Sequence, residues 1–598
     1  MKTLLQSFKK TFFLTVLLAG ISSMAFAATY TATSSGNWSS SSTWSGGTAP
    51  SLTNTGDLVV ISTGVTVTMD NSVTMSSSNA QLEVMGTLSS TSNTLTNNAG
   101  TIYGAGTIAI NSLVLGGGAF LTFTGTVTVN YFSSSVLSLD VLATVTVNKG
   151  MTLASGLLGF TNNGALSIAN NSTITMAGGN LPLASGLPIT WPSSYNVIYT
   201  ATYASTGVEL TGSGLQNVTM NSGSGNSVTL GSDLTVNDTF SMQSGTLVLN
   251  GHNLTINGDV AANGTGRISS TTASNISINS STTNSGSLWF TNNASTVNNF
   301  TVNIADGGWP SLGSSMTVNG TLNLQKGTLY ISNDTLQIAA TGTISNASSS
   351  NYVVTNTNGF LSMYVTAANT TAMYYPIGTP SHFRPANMWL NTGSASGWVN
   401  VNAWDNVYEQ GTTGPSVSQF QSSVNGTWDV QSNITTNMNL KMELMWNASE
   451  EVNGFDRTQA YISHFTNGSW DVSTTSSATL ESNGMYGISR SNIQSLSPFA
   501  VYDDNTKAAV QPLDANSASN SGFEIYPNPA MSNIYIQDVT STDKEMYAQI
   551  LNVNGQIIST YIITDKTSAI DVSSFSKGIY FVKLYNNNTI STAKFVKL

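Results

Sequence analysis

One pattern constrains this chain more than any other, because it occurs three times with the same internal spacing. Val145-Thr146-Val147-Asn148 leads to Gly156-Leu157-Leu158, Leu234-Thr235-Val236-Asn237 to Gly245-Thr246-Leu247, and Met316-Thr317-Val318-Asn319 to Gly327-Thr328-Leu329. The copies begin 89 and then 82 residues apart, a separation that about four coils of ~20 residues would fill in a solenoid whose rungs stack by backbone hydrogen bonds. Between the copies run short alternating segments such as Val65-Thr66-Val67-Thr68-Met69 and Val127-Thr128-Val129, bounded by Gly or Asn. Such alternation is the mark of half-buried strands. The reading is a right-handed parallel β-helix over residues 28–354. Its rival is a flat or barrel arrangement of antiparallel hairpins, which would not require a long-range repeat.

Composition agrees with an all-β chain. Thr, Ser, Asn, Gly and Val dominate, and only 8% of residues are charged. Across the repeat region the basic side chains are Lys149, Arg267 and Lys326, so Asn and Thr must solvate the surface. A formal net charge of -11 argues against a phosphate-backbone partner, which needs clustered Lys and Arg. There is no cysteine in the chain. Disulfides, thiolate catalysis and Cys-based metal sites are therefore excluded.

Residues 1–27 have the order of a secretory signal peptide: Lys2, Lys9 and Lys10, an apolar run from Phe12 to Gly20, then Ala25-Phe26-Ala27 with cleavage expected after Ala27. That run is short of the ~20 residues needed to span a bilayer, so no transmembrane segment is expected after cleavage. The next segment, Gly36-Asn37-Trp38 with Thr43-Trp44, Pro50 and Gly56-Asp57, resembles the N-terminal caps of bacterial β-helix surface proteins. An open solenoid end exposes unpaired strand edges, and two indole rings and a Pro-containing loop would cover them.

Residues 355–505 differ in composition and hold six of the eleven Trp residues (Trp389, Trp398, Trp404, Trp428, Trp446 and Trp470). Aromatic-rich strands without a period predict a β-sandwich, with wide side chains filling the space between two sheets. Tyr375-Pro376-Ile377-Gly378 with Phe383-Arg384-Pro385 resembles a module found after such repeats in exported proteins, and implies no activity. Residues 506–521, with Pro512 and little apolar content, read as a linker.

Residues 522–598 read as a small antiparallel β-sandwich. Tyr526-Pro527-Asn528-Pro529 opens it, Asn554-Gly555 is a hairpin turn, and Asn586-Asn587-Asn588 reverses the last two strands. These motifs, with Ile550 to Ile557, Ile570-Asp571-Val572-Ser573, Lys577-Gly578-Ile579-Tyr580-Phe581-Val582 and the ending Lys594-Phe595-Val596-Lys597-Leu598, are similar to the type A sorting domain of the type IX secretion system. The residues that carry the resemblance as a sorting signal are Tyr526, Pro527, Asn528, Pro529, Asn554, Gly555, Gly578, Tyr580, Lys594 and Lys597. The resemblance implies a Gram-negative source, passage across the inner membrane on the signal peptide, and recognition of the folded domain by the type IX machinery at the outer membrane. It also implies removal of the domain by a sortase-like peptidase, with the cut before Phe523, and attachment of the cargo to a surface lipopolysaccharide. The cargo would be secreted, extracellular or held on the outer surface of the outer membrane.

Chemistry is sparse. His252, His382 and His464 lie in separate segments with no HExxH spacing and no acidic neighbour in sequence. The carboxylates of the repeat region (Asp57, Asp70, Asp233, Asp238, Asp259, Asp306 and Asp334) are scattered, and the three basic residues are too far apart in sequence to serve as a lyase set. Glu450-Glu451 with Asp456, and Asp503-Asp504-Asn505, read as solvated loops. Most sandwich Trp residues are expected in the core. Asp334-Thr335-Leu336 resembles the O-glycosylation acceptor of bacteria that own such a secretion system. No catalytic, cofactor or metal residue is assigned. The expectation is a structural or adhesin-like surface protein; the alternative is a carbohydrate-active β-helix enzyme (polysaccharide lyase or glycosidase) or a protein that binds a surface polysaccharide or extracellular glycan.

Overall fold

The computed structural model describes residues 27–504 and 523–598, apart from 53–55, 136–138, 141–143, 156–159, 162–163, 182–187, 262–263, 281–285, 306–307, 309, 356, 368–370, 418–420, 539–545, 554, 564, 566 and 586–589. The signal peptide up to residue 26, the linker at 506–521, Gly156-Leu157-Leu158 of the first repeat, Asp306, Asn505, Asn554 and Asn586-Asn587-Asn588 lie outside the described residues. The chain divides into two units, residues 1–507 and 508–598.

In the first unit the alternating runs form a parallel β-solenoid of about 14 turns. Val67, Leu88, Ile108, Val127, Val145 and Leu166 pair in succession, rung above rung. Their spacing along the chain is close to the coil length that the repeat implies, and every one of these side chains is fully buried. Further along, Leu234, Leu254, Ile276, Phe300 and Leu322 do the same at a slightly longer spacing. Burying each such side chain contributes about 1.5–3 kcal/mol, so the aliphatic columns hold the stack. Strands Thr107–Leu115, Thr126–Ser134 and Thr144–Leu153 each serve two faces. In Thr107–Leu115 the first half pairs with Thr87–Ser89 and the second with Thr94–Asn97.

The repeat is partly explained by this register. Met151, six residues after Val145, lies four rungs from Phe240, six residues after Leu234, through Ile174, Val197 and Val218. The first two copies are therefore four turns apart. The third is displaced: Leu234–Val236 belongs to the sheet that contains Thr321–Lys326, whereas Met316–Val318 lies in the neighbouring sheet between Phe290–Val297 and Thr335–Ile338. What this copy shares with the second is the local chain path. Gly245 and Gly327 both have positive φ (84° and 81°), a conformation that costs glycine little.

Outward positions bond to one another along the stack. Asn253 Nδ2 donates to Asp233 Oδ2 (2.9 Å), Asn275 Nδ2 to Asn253 Oδ1 (2.8 Å) and Asn298 Nδ2 to Asn275 Oδ1 (3.2 Å). A second amide column joins Asn237 and Asn257. These ladders explain how so uncharged a surface is satisfied. At the N-terminal end Trp38 and Trp44 are buried edge to face, ring centroids 5.1 Å apart, with Trp38 Nε1 donating to Pro50 O and Trp44 Nε1 to Trp38 O.

No break separates the solenoid from the Trp-rich region. Val353–Val354 pairs in parallel with Ile377–Gly378, and Phe360–Val365 is parallel to Thr335–Ile338 on one edge and antiparallel to Gly397–Asp405 on the other. The last rung thus seeds one antiparallel sheet. A second sheet runs through Met373–Tyr375, Ala386–Leu390, Leu440–Trp446, Tyr486–Ile493 and Thr479–Leu480. The two share one hydrophobic cluster.

The second unit has its own core. Phe523–Tyr526, Asn533–Asp538 and Thr567–Asp571 form one antiparallel sheet. Ile557–Ile563, Met546–Asn552, Gly578–Tyr585 and Ile590–Lys597 form the other. Phe523, Ile534, Ile536 and Ile570 pack against Ala548, Ile550, Val582, Leu584 and Phe595. Among the described residues no helix is long and apolar enough to cross a membrane.

Candidate functional site

In the C-terminal unit Asn528, Gly578 and Tyr580, far apart in sequence, meet the terminal strand. Asn528 Nδ2 donates to Lys594 O (2.9 Å) and Asn528 Oδ1 accepts from Val596 N (2.9 Å). Ala530 N donates to Val596 O, and Leu598 N donates back to Ala530 O. The Tyr-Pro-Asn-Pro segment therefore clamps the terminal strand, with the Asn amide imitating a strand partner where neither Pro can donate. Gly578 pairs with Lys597 and Tyr580 with Phe595. The Tyr580 ring lies 5.3 Å from Phe575 and 5.6 Å from Phe595, and its hydroxyl donates to Ser576 O. Tyr526 stacks on Tyr535 at 5.7 Å. Gly555, at φ 77°, turns a hairpin away from this clamp. Exposed apolar side chains of the same unit, Ile557, Ile558, Ile562 and Ile579 among them, were not singled out from the sequence. The signal that could have found them is the broken alternation of Ile557-Ile558 and Tyr561-Ile562-Ile563.

Stacking gives two histidines acidic partners that the sequence does not place beside them. His252 Nδ1 lies 3.5 Å from Asp233 Oδ1, and His382 Nδ1 lies 2.8 Å from Asp405 Oδ1. His464 is buried against Phe499, ring centroids 4.3 Å apart, and burial lowers its pKa. The solvated-loop reading of Glu450 and Asp503 is corrected. Glu450 is buried, and its Oε2 lies 2.5 Å from Nε of the fully buried Arg384. The same guanidinium donates to Asp405 Oδ1, Trp404 O and Asn425 O. Burial pushes the Asp405 carboxyl up, but the hydrogen bonds and charge of Arg384, aided by His382 and Thr379, outweigh it and hold the group below the usual range. Glu451 pairs with Arg457 at 2.7 Å. Asp503 is buried and accepts from Ser422 Oγ and Asp456 N. These charges hold loops together, because a buried carboxylate is tolerated only when paired.

The remaining candidates do not converge. Among the described residues no three His, Asp or Glu side chains form a metal-sized group. Lys149 lies over the Tyr131 ring and Arg267 over the Trp289 ring, while Lys326 belongs to Thr321–Lys326. Trp428, Trp446 and Trp470 are buried, and Trp389, Trp398 and Trp404 are half-buried. Thr335 sits within Thr335–Ile338, paired on both edges, its N–H donating to Ser315 Oγ.

One groove opens on the solenoid. Its volume is about 740 Å³, and Leu210, Thr211, Gly212, Ser213, Gly231, Ser232, Asp233, Thr235, Asn237 and His252 line it. Asp233, its one carboxylate, is held below the usual range first by the Asn253 N–H. Glycosidic hydrolysis needs a second, facing carboxylate. The lining instead offers hydroxyls, an amide and an imidazole for hydrogen bonding. Next to it in sequence, Glu209 is fully buried, accepts from Tyr199 Oη and Gly207 N, and leaves Oε2 without a hydrogen bond. Burial raises its pKa, which favours the neutral acid.

Residues 524–598 match the family model described as secretion system C-terminal sorting domain. This is the type IX sorting domain, and it implies export. No curated protein and no solved structure matches the chain.

Proposed function

We infer that a protein carrying this sorting domain exports its solenoid and Trp-rich region as a structural or adhesin-like element of the cell surface. The observation that carries the reading is the self-satisfied flank. Asp233, Asn253, Asn275 and Asn298 bond to one another along the stack, so this outward column satisfies its own polar groups. At ~4.8 Å between rungs, about 14 turns give a stack roughly 65 Å long, suited to reach. The same cargo would be released or held on the outer surface after the linker is cut.

A glycan-binding flank is the second reading, and the groove at Asp233 and His252 favours it. The test is to incubate the purified protein with plant, algal and microbial polysaccharides and follow retention and product release together. The structural reading expects neither. Retention without turnover favours the second reading and makes Asp233 and Asn237 the first residues to replace. Product formation overturns both.

A further inference from the structure

The four-stranded sheet of the sorting domain buries one face and carries exposed apolar side chains on the other. Tyr547 pairs across to Ile562 on one side and to Tyr585 on the other, and the two Tyr rings stack at 5.6 Å. Leu551 pairs with Phe581, and Ile579 with Val596. Alternation puts these side chains on the face opposite Ala548, Ile550, Val582 and Leu584, which fill the core. Ile562 is 60% exposed, Ile579 44% and Tyr547 37%. Ile562, Tyr547 and Tyr585 make one apolar row and Leu551, Phe581, Ile579 and Val596 a second group, with Thr560, Gln549, Lys583 and Thr592 between them; so much exposed apolar surface on a small domain marks an interaction surface.

The charge on this face has one sign. Among the described residues its strand positions include Lys583 and Lys594, paired with Gln549 and Phe581, and no carboxylate, in a chain whose formal net charge is -11. We propose that this outward face is the surface by which the export machinery holds the domain, and that its partner is a protein presenting apolar side chains interspersed with carboxylates that meet Lys583 and Lys594. The proposal rests on the sorting-domain assignment, which makes this the part of the chain that must be bound in transit. The Asn528 clamp then has a positioning role: it fixes the terminal strand that carries Lys594 and Val596 in the sheet. The surface is apolar toward both ends of the strands, with Lys583 between on an inner strand and Lys594 on the outer one.

The test follows export of the full chain from cells with a type IX system as the ratio of outside to periplasmic protein. One variant combines Tyr547→Thr, Ile562→Thr and Ile579→Thr, since Thr retains strand propensity. A second combines Lys583→Glu and Lys594→Glu. A third lacks residues 523–598. The proposal expects the apolar variant to fall at least about tenfold, the charge variant to fall by a smaller factor, and both purified proteins to keep the unfolding transition of the unaltered domain. If the apolar variant unfolds, the charge variant decides. Export of a folded variant at the unaltered level, with the truncated chain retained, overturns the face and leaves the sorting assignment standing. Export of the truncated chain overturns both. A purified chain that dimerises through this face, with export indifferent to the substitutions, assigns the patch to a second copy and overturns the proposal.

Discussion

The solenoid and the sorting domain use the same strand chemistry to opposite ends. Among large apolar side chains of the described solenoid, four are exposed: Met85, Phe120, Tyr131 and Trp289. The sorting domain, a far shorter stretch, exposes ten among its described residues, from Tyr526 to Leu598. In the solenoid every second residue faces a column of Val, Leu and Ile, and the residues between are Thr, Ser and Asn that bond to the next rung. In the sorting domain one sheet carries large apolar side chains on both faces. A strand that is to remain in water alternates; a strand that is to meet a partner need not.

Breaking a column should have the largest effect. Ile276→Ala, between Leu254 and Phe300, should cost about 2–5 kcal/mol, read as a shift of the solenoid's urea midpoint. Ile562→Ala should change the sorting domain's own transition by about 0.5 kcal/mol or less. Equal costs would dissolve the comparison.

The interior of the solenoid supplies a pH test. The folded pKa of Glu209 is raised by burial, so its favourable contribution is complete below the unfolded carboxyl value and is lost as pH rises through the folded one. Glu209 therefore contributes a component of stability that falls as pH rises from the acid range toward neutrality, opposite in sign to that of the depressed Asp233 and Asp405. Glu209→Gln should remove that component from the pH dependence of the unfolding temperature, whereas the sorting domain, with Asp571 depressed by its bonds to Ser573, should show none of the same sign.

The strand alternation at Val127-Thr128-Val129 was legible in sequence because one face is buried and register is then fixed. The motif set of the sorting domain was legible as a set, and Asn528 does join its opening motif to the terminal strand. Contacts between rungs were not. His252 and Asp233 meet because a single coil of the solenoid separates them. The coil that carries Val127 to Val145 is shorter than the one that carries Ile276 to Phe300, so no fixed offset reveals such a pair. Met316 lies on a different sheet from Leu234 because four coils from Leu234 reach Leu322, six residues beyond it. Between Arg384 and Glu450 the chain runs through Ala386–Leu390, Gly397–Asp405, Ser423–Ser432 and Leu440–Trp446, a path over which composition gives no pairing. The outward face at Ile562 was missed because apolar residues on both sides of a strand look like ordinary core.

Two smaller effects sharpen the contrast. Asn528→Ala removes both bonds to the terminal strand and should cost the sorting domain about 1–2 kcal/mol, with a matching loss of export. Asn275→Ala interrupts one amide column and should cost the solenoid about 0.5–1.5 kcal/mol, with export unchanged. Thermal unfolding of each purified variant, alongside its export ratio, separates a residue that matters for the fold from one that matters for transit.

The division of labour itself is tested most directly by locating the solenoid on intact cells with an added protease, in strains making the full chain or a chain lacking residues 523–598. The account predicts that solenoid fragments become accessible outside the cell only when the sorting domain is present, and that without it the folded solenoid stays protected in the periplasm. A solenoid equally accessible in both strains would contradict it.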